Sequence, residues 1–217
     1  MRFISSIAAR NGACNDGKVG FFRRRVSTAF VAAAIAISAP VGALADHQWS
    51  SYHWNRDGVD PLVLTIGDNH QNASGNWSDL LGKTIGDWAT FGGAYFKVMA
   101  GTPGASDIES YNDNYGDTGW LGIASISVTR GKNKHIVTGS SKVNEFYITL
   151  AGYDGFDEAI EWQHVLCQEI GHTYGLDHNR IGDAGGSPDD TCMNDEERPL
   201  RFGTPNIHDT AQLDILI

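Results

Sequence analysis

The sequence is poor in cysteine, proline and positive charge, and each shortage excludes a class of protein. Three cysteines and six prolines in 217 residues are too few for a disulfide-dense scaffold or a proline-rich extended chain. Only 16 lysines and arginines stand against 26 aspartates and glutamates, so the formal net charge is −10. An acidic protein repels phosphate backbones, and we therefore expect no nucleic-acid partner. The motifs of phosphate-binding loops and of serine hydrolases are also missing from the sequence.

The first 45 residues have the organisation of a secretory signal peptide. Arg23–Arg25 precede an uncharged stretch that ends in small residues at Ala43 and Ala45. A basic region, an apolar region and a small-x-small site, in that order, predict cleavage after Ala45. An uncleaved membrane anchor is the alternative, because the uncharged stretch is just long enough to span a bilayer.

We therefore divide the chain into a signal peptide, residues 1–45, and a single domain, residues 46–217. The domain is expected to be secreted, to an extracellular or periplasmic space, and to have no membrane contact after cleavage. It retains two cysteines, Cys167 and Cys192, in an oxidising compartment. Such a pair predicts one disulfide, and two buried free thiols are the alternative.

Apolar periodicity in the domain predicts an α+β fold, with a helix packed across a mixed sheet. A long helix is predicted to start at Asp157, which is suited to the N-cap position, and to end at Gly175. Two shorter helices are expected over 77–89 and 206–216. The expected strands are 61–69, 94–101, 120–130 and 134–148.

The stretch from Gln168 to His178 carries the clearest chemical signal. Gln168 and His172 are four residues apart, so on a helix they lie on one face, roughly 6 Å apart along the axis. Gly175 can adopt the left-handed conformation that ends a helix, and the turn would bring His178 back to face His172. Three such side chains form one side of a tetrahedral metal site and leave the fourth position to water.

Two other side chains near this site, those of His164 and Asp177, are candidate ligands. His164 lies on the same helical face as Gln168, but eight residues of helix separate it from His172 by about 12 Å. It is therefore expected to support a ligand residue or to lie on the surface. Asp177 is an alternative third ligand, because the turn can present either Asp177 or His178 to the metal.

This stretch resembles the signature of the metzincin zinc peptidases, HExxHxxGxxH, which is followed downstream by a methionine turn. Residues 168–178 read QEIGHTYGLDH, and Met193 lies at a suitable distance. The order of predicted elements is similar to that of matrixin-type domains. The run HVLCQEIGHTYGLDH, with CMND downstream, is similar to a group of secreted bacterial matrixin-like proteins. The departure is Gln168, which stands where the family has its first histidine ligand.

The resemblance implies a metzincin-like catalytic domain with a mixed, twisted sheet, an active-site helix, a methionine turn at Met193 and a C-terminal helix. Zn²⁺ would be held by His172, His178 and Gln168. Glu169 would be the general base of an endopeptidase that acts on proteins or peptides. An amide oxygen is a weaker zinc donor than an imidazole, so the alternative is a catalytically silent extracellular binding domain that has lost tight zinc binding.

Four further expectations concern the substrate strand, the disulfide, calcium and the oligomeric state, and the first is what the resemblance implies. An extended substrate would lie along an edge strand, placed here at Lys134–Asn144. The disulfide between Cys167 and Cys192 would tie the active-site helix to the methionine turn. The acidic segments 113–117 and 183–190 are expected to be solvated loops, and structural Ca²⁺, which matrixin-like domains often carry, is the alternative. The domain is expected to be a monomer.

Overall fold

The structure, a computed structural model, describes residues 47–58, 60–73, 75–132, 134–148, 158–180, 190–194 and 202–217. The predicted signal peptide, the predicted N-cap Asp157 and most of the acidic segment 183–190 lie outside these residues. Within them, no helix has both the length and the apolar character that a bilayer crossing requires.

In the described residues, six strands form one mixed and mostly parallel sheet. The parallel strands follow the order β1-β6-β4-β2-β3, and β5 pairs antiparallel with β6. Parallel neighbours need a crossover connection, and helix α1 (Trp77–Phe91) supplies one between β2 and β3. The strands are β1 (His53–Trp54), β2 (Leu62–Asp68), β3 (Phe96–Gly101), β4 (Ile108–Asp113), β5 (Gly122–Val128) and β6 (His135–Asn144).

The helices after α1 are α2 (Glu145–Ile148), α3 (Glu158–Thr173) and α4 (Ile207–Leu216). Helix α3 packs against α1 and against strands β5 and β6, so the predicted packing of a helix on a mixed sheet is confirmed. α4 begins with a capping box, in which the side chains of Asn206 and Asp209 each accept a hydrogen bond from the other residue's backbone N–H.

The predicted apolar face of α1 is also confirmed, and it forms part of the core. Trp77 stacks on Trp162 of α3, with ring centroids 4.6 Å apart. Such aromatic pairs add roughly 0.5–1.5 kcal/mol beyond the burial of their area. The buried or partly buried members of the predicted face are Trp77, Leu80, Leu81, Ile85 and Trp88.

Strand β4 has no counterpart among the predicted strands. Alternate residues of β4 are buried, but two of them, Ser110 and Asn112, are polar. Ser110 Oγ lies 2.7 Å from Ser141 Oγ, and Asn112 Nδ2 donates to Gln71 O at 2.9 Å. These hydrogen bonds satisfy the buried polar atoms of β4. The strand therefore lacks the regular apolar alternation that predicts β2, β3, β5 and β6.

The predicted strand 134–148 is shorter in the structure, because helix α2 begins at Glu145. Asn144 marks the change: its Oδ1 accepts the N–H of Phe146 at 3.2 Å. Strand β6 is also not an edge strand, since residues 139–143 pair with β4 on one side and with β5 on the other. The prediction that a substrate pairs with Lys134–Asn144 is therefore wrong, because both backbone edges there are occupied.

Candidate metal centre

Helix α3 carries three of the predicted site residues, Gln168, Glu169 and His172, into the interior of the protein. All three side chains are buried, with at most 5% of each residue exposed. The helix ends before Gly175, whose φ of +99° is the left-handed conformation that the sequence predicts. A Cβ at Gly175 would lie 2.5 Å from Tyr52 O. Both the turn and the close approach of the amino-terminal segment therefore require glycine.

The turn brings His178 back against His172. Their ring centroids are 4.6 Å apart, and the ring planes are inclined at 55°. Two imidazoles bound to one tetrahedral zinc ion, with Zn–N bonds of about 2.0–2.1 Å, have centroids roughly 5 Å apart. The two side chains thus have a spacing that suits a shared zinc ion.

His172 also has the tautomer that a metal ligand needs. Its Nδ1 lies 2.8 Å from Leu176 O. A carbonyl oxygen only accepts hydrogen bonds, so Nδ1 carries the proton and Nε2 carries the lone pair. A backbone carbonyl that orients the ring in this way is the usual outer partner of a zinc-binding histidine.

Gln168 belongs to the same cluster, but its amide nitrogen is the atom near His178. Gln168 Nε2 donates to Asn194 O at 2.8 Å and lies 3.5 Å from His178 Nδ1. An amide nitrogen has no lone pair for a cation, so Gln168 can ligate only through Oε1. Sequence reasoning missed Asn194, whose carbonyl oxygen orients the amide, and only its position next to Met193 pointed to it.

Glu169 lies between α3 and strand β5. The backbone N–H of Ala124 donates to its carboxyl group, while Oε2 has no hydrogen-bond partner among the described residues. Burial raises the pKa of Glu169 to about 8, and the hydrogen bond from Ala124 opposes that rise. A neighbouring cation would lower this pKa and leave a carboxylate that accepts a proton at neutral pH.

Gly122 of β5 provides the space that the Glu169 side chain occupies. A Cβ at Gly122 would lie 2.5 Å from Glu169 Cγ and 2.7 Å from Glu169 Oε1. The strand and the helix can approach this closely only because the position has no side chain. Sequence reasoning missed Gly122 and Ala124, since a contact between a strand and a distant helix leaves no local signal in the sequence.

The segment around Met193 packs against helix α3 and against the turn that carries His178. Cys167 and Cys192 form a disulfide with their Cα atoms 6.0 Å apart, so the predicted disulfide is confirmed. Met193 is fully buried, and its Sδ and Cε lie against Gly171 of α3. The N–H of Asn179 donates to Met193 O at 2.7 Å. This hydrogen bond holds the segment beside the turn that carries the second histidine.

The two other candidate ligands, Asp177 and His164, differ in their surroundings. Asp177 Oδ1 accepts the N–H of His178 at 2.7 Å and lies 3.8 Å from Arg180 Nη1, on a partly exposed side chain. His164 is buried, with 1% of the residue exposed, so it does not lie on the surface. Burial lowers the pKa of His164 to about 4, and a hydrogen bond to the Phe202 backbone opposes the change.

The acidic loop 113–117, for which calcium binding is the alternative to a solvated loop, is held by hydrogen bonds to its side chains. Asp113 Oδ1 accepts the N–H of Asn114, and Asn114 Oδ1 accepts the N–H of Gly116. Asp117 Oδ1 accepts the hydroxyl of Tyr147. Calcium binding in this loop stays a prediction.

Comparison with known proteins does not assign the chain to a family. No protein-family model and no curated protein sequence matches it. Among solved structures, the structure of myroilysin is similar to this chain, with 12% sequence identity and a TM-score of 0.35. The similarity covers 62% of this chain and 57% of that chain, so the present chain spans little more than half of its length. A likeness at this level does not establish a common fold or a common activity.

Proposed function

We propose that the protein is an exported, zinc-dependent endopeptidase of the matrixin-like metzincin type. His172, His178 and Gln168 hold the metal, and Glu169 is the general base. The proposal is carried by the 4.6 Å separation of the two histidine rings, on a buried helix end that also presents Glu169. The disulfide supports the export of the protein, because such bonds persist in oxidising compartments.

Three residues around the metal centre, Glu169, Ala124 and Gly122, have separate roles in the proposed hydrolysis of a peptide bond. A bound zinc ion supplies a Lewis acid, which polarises a peptide carbonyl and makes water more acidic. Glu169 Oε2 accepts the proton of the attacking water and then returns it to the leaving nitrogen. The N–H of Ala124 holds the carboxyl group in one orientation during both transfers. The close contact of Gly122 with Glu169 packs the carboxyl side chain against the sheet.

The substrate is a polypeptide that lies along β5. Within the described chain β5 pairs only with β6, and Glu169 lies directly beneath its first residues. An extended peptide adds to a strand edge through backbone hydrogen bonds, which give affinity with little side-chain selectivity. Strand β5 thus takes the place of Lys134–Asn144 as the substrate strand.

A second function is favoured by the orientation of Gln168. Its amide nitrogen, which cannot bind a cation, lies toward His178 and donates to Asn194 O. Two imidazoles alone bind zinc more weakly than three protein ligands do. The protein would then be an extracellular binding domain without catalysis.

Replacement of Glu169 by Gln separates the two functions. We expect Glu169→Gln to reduce the cleavage of casein by about 10²–10⁴-fold, because it removes the proton acceptor and keeps the volume. The zinc content of the variant should equal that of the unaltered protein. Activity is measured on fluorescent casein and zinc by plasma emission on the same samples.

Glu161→Gln is the matched control, because Glu161 is a buried glutamate on the same helix. It should leave both cleavage and zinc content unchanged. Cleavage that persists in Glu169→Gln would contradict the assigned base. An unaltered protein that cleaves nothing and holds no zinc between His172 and His178 would support the silent binding domain.

A further inference from the structure

Three buried side chains outside the candidate metal centre lie close enough together to share one cation. His47, His208 and Asp209 each offer one ligand atom, and these atoms lie within 4.8 Å of one another. No more than 2% of any of the three residues is exposed. We propose that His47, His208 and Asp209 form a second zinc site, which joins the amino-terminal segment to helix α4.

The spacing of the three side chains suits a tetrahedral ion. The ring centroids of His47 and His208 are 4.8 Å apart, close to the roughly 5 Å expected for two imidazoles on one zinc ion, and the two rings are stacked with their planes inclined at 20°. His47 Nε2 lies 3.2 Å from Asp209 Oδ1. Neighbouring ligand atoms of a tetrahedral zinc ion are about 3.3 Å apart, given bonds of about 2.0–2.1 Å. The remaining ligand atoms lie within 4.8 Å of one another, and one of the two stacked rings must turn before both direct a nitrogen at one ion.

Asp209 is held so that one carboxylate oxygen faces His47. Its Oδ2 accepts the hydroxyl of Thr191 and, at 2.7 Å, the N–H of Asn206. Oδ1 is therefore the oxygen left to face the imidazole of His47. Fixed outer hydrogen bonds of this kind orient the carboxylate ligands of metal sites.

His208 has an outer partner as well. Asn179 Nδ2 lies 3.3 Å from His208 Nδ1. In this orientation the amide donates to Nδ1, which leaves the proton on Nε2. A zinc ion on Nε2 therefore requires the Asn179 amide to turn, so that its oxygen accepts the N–H of Nδ1. Two imidazoles and one carboxylate are a common protein ligand set for zinc, and water completes the coordination.

Zinc at this position would stabilise the turn that carries the second histidine of the candidate metal centre. His47 O accepts the N–H of Asp177 at 2.7 Å, and Gln48 forms an isolated antiparallel bridge with Leu176. An ion on the His47 side chain therefore fixes a segment whose backbone already pairs with that turn. An ion that binds only the folded state raises the midpoint of thermal unfolding.

The test is the zinc stoichiometry of the purified, tag-free protein and of variants in each site. We expect about two zinc ions per chain in the unaltered protein and about one in His208→Gln. His172→Gln should also retain about one, and the variant with both replacements should retain none. These variants test the two proposed sites separately. A His172→Gln variant that keeps the full zinc content would contradict the candidate metal centre and not the second site.

His53→Gln is the matched control, because His53 and His135 form another close histidine pair, with ring centroids 4.6 Å apart. It should keep the zinc content of the unaltered protein. A His208→Gln variant that folds and loses no zinc would overturn the second site. A His172→Gln variant that binds no zinc would overturn it equally.

Asp209→Asn keeps the test valid if His208→Gln does not fold. The amide oxygen of Asn can still accept the N–H of Asn206, so the helix cap is retained while the charge is lost. In the His172→Gln background, the zinc dissociation constant should rise more than about 10-fold, since even changes beyond the ligands cost roughly 10–100-fold. An unchanged dissociation constant, with an unchanged zinc-dependent shift in the unfolding midpoint, would contradict the site.

Discussion

If the candidate metal centre binds zinc as proposed, we expect Gln168 to be the residue that most limits its affinity. Its side chain is buried beside His178, and its amide nitrogen donates to Asn194 O. An imidazole in its place offers a ring nitrogen, which zinc prefers to an amide oxygen. We therefore expect Gln168→His to lower the zinc dissociation constant by at least about tenfold. Competition with a chromophoric chelator measures the change.

Gln163→His is the control for that replacement. Gln163 is buried on the same helix, but its Nε2 donates to Thr84 Oγ1, away from the histidine pair. It should leave the zinc dissociation constant unchanged. If Gln168→His also leaves it unchanged, position 168 does not lie in the coordination sphere.

His164 predicts a loss of stability in acid. The pKa of the imidazole is 6.5 in its ordinary state and is lowered to about 4 in the folded protein, first by burial. The unfolded chain therefore takes up a proton at a higher pH than the folded protein does. The contribution of His164 to the free energy of unfolding should be constant above pH 6.5. As pH falls from 6.5 to 4, the free energy of unfolding should decrease by up to about 3 kcal/mol.

Urea unfolding at pH 7 and at pH 4.5 checks this expectation, with His164→Gln as the comparison. The variant has no titrating group at this position, so its loss of stability over the same interval should be smaller. Equal losses in the two proteins would show that His164 is not the cause.

Local rules were sufficient for some site residues and insufficient for others. The left-handed Gly175 and the return of His178 toward His172 follow from the chemistry of helix ends, and both are present. The contacts of Glu169 with Gly122 and Ala124 join a helix to a strand that is remote in sequence. Periodicity within either segment carries no information about such contacts.

At the scale of elements, prediction succeeded where apolar side chains alternate in a regular pattern. Helix α1 and strands β2, β3 and β5 fall within or close to the predicted ranges. β4 was missed because its buried positions are partly polar. The boundary between β6 and α2 was missed because the side-chain hydrogen bonds of Asn144 end the strand there.

The disulfide is the covalent link between helix α3 and the Met193 segment. It closes a loop of 25 residues. On the chain-entropy model, a loop of this size stabilises the folded state by about 3 kcal/mol. The variant Cys167→Ser/Cys192→Ser should lose about that free energy of unfolding. Chemical denaturation of the variant and of the unaltered protein measures the difference.

Reduction of the unaltered protein is the control, because it breaks the same bond without changing a residue. It should produce a similar loss of stability and expose two thiols to alkylation at Cys167 and Cys192. Thiols that react fully before reduction, or a variant as stable as the unaltered protein, would contradict the assigned role of the bond.

For the whole molecule, composition and the order of elements predicted a mixed sheet packed on helices, and the structure has that arrangement. The order of the strands was not predictable, because pairings such as β4 with β6 join segments that no local pattern connects. For the same reason, the cluster of His47, His208 and Asp209 was not predictable, because its residues come from opposite ends of the domain.

Crystals of the zinc-loaded protein, measured on both sides of the zinc absorption edge, show directly whether His172 and His178 bind one zinc ion. We expect an anomalous peak within about 2.0–2.1 Å of His172 Nε2 and of one ring nitrogen of His178. Glu169 should lie beside that peak without binding it. Zinc-soaked crystals that show no anomalous density between these two histidines would contradict the proposed zinc site and, with it, the proposed peptidase.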